Sequence, residues 1–198
     1  MIDQATVEGI AAAIDELASE FRQTPGLLLT EADVKCHLIA KFARIGNLGV
    51  PVESADKGVL ATAVHAEVPW FDDQDQLRLR PDITITDPTD LSIRRAMQEG
   101  IPFPRKGFHS TGNSVVVELK FYRGRDGVRP RAVPFIRQDI EKIEQLIKRG
   151  RRLNQQTFLY GVVAVFAKYS GVCQEVMELA DGTYDNVRVI VRSAKLPR

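Results

Sequence analysis

Apolar and polar positions alternate with two different periods along this chain, and each change of period marks an element. Over residues 3–22 apolar side chains return every three or four positions. Val7, Ile10, Ile14, Leu17 and Phe21 form one stripe, which predicts an amphipathic helix. Gln23-Thr-Pro-Gly26 ends it. The stripe suits a core face or a seam with a second copy. A second helix is expected over 30–45, with Thr30 as N-cap and Asp33 at N3 in a variant of the capping box. Val34, Leu38, Phe42 and Ile45 make its buried stripe. Glu31 continues that stripe one turn upstream, whereas Asp33 lines up with His37 and points away. Gly46-Asn-Leu-Gly49 closes the helix.

The period then shortens to two. Over 60–71, Val64, Ala66, Val68 and Trp70 alternate with His65, Glu67 and Pro69. Over 77–86, Leu79, Pro81, Ile83 and Ile85 oppose Arg80, Asp82, Thr84 and Thr86. The short connection between the two runs predicts an antiparallel hairpin. Residues 87–113 read as a long insertion rich in Pro and Gly, with a helix expected over 91–99. Ser114-Val-Val-Val-Glu-Leu-Lys-Phe-Tyr122 follows as a strand flanked by turn-forming residues. Its alternation sends Val115, Val117, Leu119 and Phe121 to one face and Val116, Glu118, Lys120 and Tyr122 to the other. An acid and a lysine thus stand side by side in a valine-rich run, where a charge is costly without a partner or a task.

A third long helix is expected over 134–149, with Ile136, Ile140, Ile143 and Ile147 inward and Gly150 as its stop. A buried strand over 157–167, a short helix over 172–179 and a last strand over 187–192 complete the order. This predicts an α/β fold, a mixed sheet flanked by helices. Residues 1–198 read as a single domain: a helical appendage (1–25), a core (30–167) and a C-terminal helix and strand (168–198).

Composition adds little until it is resolved along the chain. With 27 Lys and Arg against 26 Asp and Glu, net charge is near zero, which argues against a general nucleic-acid coat protein. Between Arg94 and Arg137, however, ten Lys or Arg face three acids, a local excess of +7 around the Glu118 strand. No apolar run is long enough for a membrane span and no secretory leader pattern opens the chain, so a cytoplasmic location is expected. Two cysteines, Cys36 and Cys173, lack metal-ligand spacing and suit a bland core role.

Laid side by side, the three strands present His65/Glu67, Arg80/Asp82/Thr84 and Glu118/Lys120 on one face. Asp82 and Glu118 on neighbouring strands suit one hard cation, with the Leu119 carbonyl as a third oxygen ligand. Lys120 beside them suits orientation or deprotonation of a water, or stabilisation of charge on a phosphate. Glu31 completes the shell through water or at a second metal. Glu67 is either a further acid of the site or a partner for Arg80, and His65 is more simply a strand-face histidine bonded to a neighbour.

Arg80-Pro81-Asp82, followed across a long loop by Glu118-Leu119-Lys120, resembles the signature of the PD-(D/E)XK nuclease superfamily. The helical Glu31 and the helix–three strands–helix–strand order of the core belong to the same resemblance. It implies a restriction-endonuclease-like αβββαβ core, here with an extra N-terminal helix, and Mg²⁺- or Mn²⁺-dependent hydrolysis of phosphodiester bonds, in DNA rather than RNA. It implies metal ligation by Asp82 and Glu118, beside which the Leu119 carbonyl is the third ligand already read from the strand, with Lys120 serving the attacking water and Glu31 assisting. Asp139 and Lys142 fall where some members carry accessory polar residues; Glu67 and His65, from the strand face, are further accessory candidates. Arg94, Arg95, Arg105, Lys106, Arg123, Arg125, Arg129 and Arg131 are the expected nucleic-acid contacts. The expected partners are DNA, a second copy of the chain, and a protein that supplies specificity. The alternative is a non-catalytic nucleic-acid-binding or assembly module that keeps the fold; a third reading is a structural α/β domain in which Glu118 and Lys120 form cross-strand ion pairs.

Overall fold

The computed structural model describes residues 2–71, 74, 77–92, 109–110, 112–153, 157–169 and 171–196. Two helices open the chain, α1 (Gln4–Gln23) and α2 (Glu31–Phe42). Asp3 caps α1, and its side chain accepts from the Thr6 N–H. Thr30 caps α2 in the expected reciprocal box: its side chain accepts from the Asp33 N–H, and Asp33 accepts from the Thr30 N–H. The stripe of α1 is wholly buried, so it forms core. Cys36 is exposed on α2 rather than in the core, and Cys173 is half-buried.

Five strands form the main sheet: β3 (Val64–Ala66), β6 (Ile83–Thr86), β9 (Ser114–Tyr122), β10 (Leu159–Tyr169) and β11 (Val187–Leu196). Their order is β11-β10-β9-β6-β3. β6 runs antiparallel to both of its neighbours, β3 and β9, whereas β9, β10 and β11 run parallel. Helix α3 (Val133–Leu153) crosses between β9 and β10, and α4 (Gln174–Asp181) between β10 and β11.

Alternation along the central strands builds two cores. Val115, Val117 and Leu119 of β9, with Val162, Ala164 and Phe166 of β10, pack beneath α1 and α2. Val116 of β9, with Val163, Val165 and Ala167 of β10, packs against Ile136, Ile140, Ile143 and Ile147 of α3 and Val176 and Leu179 of α4. The result is a mixed sheet with helices on both faces.

Three elements differ from the expectation. The run over 60–71 is broken into β2 (Leu60–Ala61), β3 and β4 (Trp70–Phe71), and Glu67, at a left-handed φ of 52°, sits at the second break. The run over 77–86 is broken into β5 (Leu77–Leu79) and β6 at Arg80-Pro81-Asp82, where proline has no N–H for a ladder. The two runs still pair antiparallel, as expected, but in two pieces: β3 with β6 inside the main sheet and β4 with β5 as a separate ribbon. Gly150 does not end α3, which runs on to Leu153. There the helix lies close to β10: a Cβ on Gly150 would sit 3.3 Å from the Leu159 side chain. The helix expected over 91–99 lies outside the described residues except for Leu91–Ser92 (β7), which pairs as a strand with His109–Ser110 (β8). β1 (Val52–Glu53) pairs with β2.

Candidate active site

β9 is paired unequally on its two edges. β10 follows it from Ser114 to Tyr122. β6 follows it only as far as Val117, opposite Ile83. Among the described residues the last five of β9 therefore have one edge free of strand partners, and both helical layers reach round to that edge.

Continuing the β6 register places Pro81 opposite Leu119. In an antiparallel ladder a residue's N–H and C=O point to the same edge, and facing residues exchange both bonds. Pro81 has no N–H to give. The ladder thus leaves the Leu119 carbonyl without a donor from that strand. The Leu119 N–H is taken instead by a side chain, donating to Asp82 Oδ2 at 2.9 Å. Two residues on, the Phe121 N–H donates to Glu31 Oε2 at 3.1 Å. Asp82 and Glu31 therefore flank the Leu119 carbonyl along one open strand edge.

Glu118 and Lys120 project to the α3 side. Glu118 is buried, and its carboxylate contacts the Lys142 ammonium of α3. Lys142 also donates to the Arg80 carbonyl at 2.8 Å, tying α3 to the turn that carries Asp82. Lys120 Nζ lies 2.8 Å from Asp139 Oδ2. On the α2 side, Lys35 Nζ lies 2.8 Å from both Asp82 Oδ1 and Glu67 Oε1. Five carboxylates thus meet three ammonium groups, a formal excess of two negative charges, with Arg80 exposed at the rim beside Glu67.

The electrostatics follow from burial. Glu118 is pushed up to about 7, mainly by burial, with Asp139 and Asp82 adding to the rise and Lys142 opposing it. Asp139 is also raised by burial, against the pull of Lys120. Burial works against the charge on Lys120, but Asp139, Glu118 and Glu31 outweigh it and hold Lys120 above the ordinary lysine value. Lys35 is raised in the same way, burial being overcome by Asp82 and Glu67. Glu118 Oε1 and Asp139 Oδ2 are buried and have no aligned hydrogen-bond donor among the described residues, so ammonium charge alone opposes them.

The expected residues divide into four groups. Glu31, Asp82, Glu118, Leu119, Lys120, Asp139, Lys142 and Glu67 come together around one strand edge, not on one sheet face. His65 faces Thr84 across the ladder, but its Nε2 is 2.9 Å from the Thr62 carbonyl, so its bond is local. Arg123, Arg125, Arg129 and Arg131 are exposed on the loop that leaves β9, and Arg129 pairs with Asp126. Arg94, Arg95, Arg105 and Lys106 lie outside the described residues. Lys35 is the residue that the sequence reading missed. Its signal is the spacing: four residues after Glu31, it shares that residue's helix face.

As they stand, the carboxylates hold amides and lysines. Among the described residues no three His, Cys, Asp or Glu side chains converge as a ready-made metal shell, and no helix is long and apolar enough to cross a membrane. The donor set nonetheless fits a hard divalent cation: carboxylate oxygens, a carbonyl that Pro81 cannot serve, and two buried carboxylate oxygens opposed, among the described residues, only by charge. Comparison with protein-family models, with curated proteins and with solved structures finds no match to this chain.

Proposed function

We propose that the chain is a metal-dependent nuclease of restriction-endonuclease-like fold that hydrolyses phosphodiester bonds in DNA. The observation that carries this reading is the open edge of β9, where Asp82 and the buried Glu118 flank a carbonyl that Pro81 cannot serve. The order α2, β3, β6, β9, α3, β10 supports it, being the αβββαβ arrangement implied by the resemblance.

Asp82, Glu118 and the Leu119 carbonyl would hold Mg²⁺ or Mn²⁺, whose charge matches the formal excess of the cluster. When bound, the cation supplies electrostatic activation of water and of the phosphate. Glu31 fixes the strand edge through the Phe121 amide and lines the approach to it. Lys120 stays protonated beside its carboxylates, so its task is to orient the attacking water and to balance charge on the phosphate, not to take a proton. Asp139 holds Lys120 in place, and Lys142 holds Glu118 and the Arg80 turn. Arg123, Arg125, Arg129 and Arg131 would contact backbone phosphates, which position a duplex without reading its bases.

The test is cleavage of single- and double-stranded DNA and RNA with Mg²⁺ or Mn²⁺. The parent is expected to cut DNA, and Asp82→Ala and Lys120→Ala to lose on the order of a hundredfold or more. Variants that cut as well as the parent would refute the site assignment. A second reading, a non-catalytic nucleic-acid-binding or assembly module, is favoured by the closed state of the ion pairs, each acid already facing a lysine or an amide. It expects salt-dependent DNA binding with no response to divalent cations.

A further inference from the structure

Each lysine of the cluster is held differently. Lys120 is held by Asp139, and Lys142 is anchored by the Arg80 carbonyl as well as by Glu118. Among the described residues Lys35 is held only by carboxylates: Asp82 Oδ1 on one side and Glu67 Oε1 on the other, each at 2.8 Å. Asp82 Oδ2 is already committed to the Leu119 N–H. The oxygen that Lys35 covers is thus the one Asp82 has left for a cation.

Glu67 is built into this arrangement. With Asn186 it is one of two non-glycine residues at positive φ among the described residues, at 52°. That conformation is unfavourable for a residue with a Cβ, and such strain concentrates at functional sites. The Glu67 N–H donates to the Asp82 carbonyl at 3.1 Å, so backbone and side chain join the same two residues, the second through Lys35. The Glu67 side chain is 55% exposed, against 18% for Lys35, which places the outer end of this bridge at the rim. Lys35 can therefore leave Asp82 towards solvent without opening the core.

We propose that Lys35 is an internal competitor for the cation site. Its ammonium fills the place at Asp82 Oδ1 that a divalent cation takes, and Glu67 keeps it there, so Lys35 sets how tightly the cation binds. The proposal rests on the reading that Asp82 and Glu118 hold a divalent cation.

Calorimetric titration of the whole chain with Mn²⁺ tests it, without any cleavage assay. Lys35→Met keeps the length of the side chain and removes the competing charge; it is expected to bind Mn²⁺ at least about tenfold more tightly than the parent. Lys35→Arg keeps the charge and is expected to stay within about threefold of the parent. Lys120→Met removes a charge that Asp139 holds away from Asp82, and is expected to tighten binding far less than Lys35→Met. Equal affinity in the parent and Lys35→Met, or equal tightening by Lys35→Met and Lys120→Met, would overturn the competitor. Binding by neither the parent nor Lys35→Met would overturn the cation site itself, and the competitor with it. Should Lys35→Met not melt cooperatively, Lys35→Gln carries the same expectation.

Discussion

A carboxylate buried as deeply as Glu118 keeps its proton in the folded protein over a range in which the unfolded chain has already lost it. Its folded value of about 7 lies above the ordinary 4.5, so between these values the folded state binds more protons. Stability must then fall as pH rises through that window, by on the order of 3 kcal/mol once both states are ionised. In chelator, the urea midpoint of the parent is expected to drop between about pH 5 and about pH 7.5, and that of Glu118→Gln to drop much less. Parallel slopes for the two proteins would show that Glu118 is not the group responsible. Pro81 makes a second residue-scale prediction. Pro81→Ala returns an N–H to the position opposite Leu119, and a hydrogen bond to that carbonyl is worth about 1 kcal/mol. Mn²⁺ affinity should fall about fivefold with the far-UV spectrum unchanged. Unchanged affinity would remove the Leu119 carbonyl from the ligand set.

Close packing of α3 on β10 can be tested at a single glycine. A Cβ on Gly161 would lie 2.1 Å from Ile143 Cγ2. Gly161→Ala is therefore expected to cost about 1–3 kcal/mol in chemical denaturation, and to cost less in an Ile143→Ala background, where Cγ2 is gone. If Gly161→Ala matches the parent, the helix does not approach the strand this closely. This scale also separates what was legible in the sequence from what was not. β9 was legible from end to end, because strict alternation between two turns specifies both a strand and its faces. The α2 capping box was legible because it is local. The breaks at Glu67 and Pro81 were not, since each depends on where a strand pairs with residues far away in sequence. The candidate site was legible as a set of residue types, while its construction around an edge, with Lys35 inside it, depended on a register that periodicity does not carry.

Over the whole molecule, charge is placed by exposure. The arginines leaving β9 are solvated, whereas the cluster at its edge is closed by its own lysines. If the surface arginines bind phosphates, replacing Arg123 and Arg125 by alanine should reduce the slope of log affinity against log salt by about 2 for duplex DNA. Arg129→Ala should change it less, because Arg129 is already paired with Asp126. An unchanged slope would move the DNA path elsewhere. The two ends of the element order also meet. α1 packs on β11, and Glu8 and Asp15 of α1 pair with Arg188 and Arg192 of β11 at 3.2 and 2.5 Å. That contact spans some 180 residues of chain. Its consequence is kinetic: bringing such distant segments together carries a loop-closure cost before any contact repays it. α1 also packs on α2 and β10, so part of its apolar stripe is covered by elements nearer in sequence than β11. Docking of α1 onto β11, the most distant of these partners along the chain, is therefore the contact that carries the largest such cost.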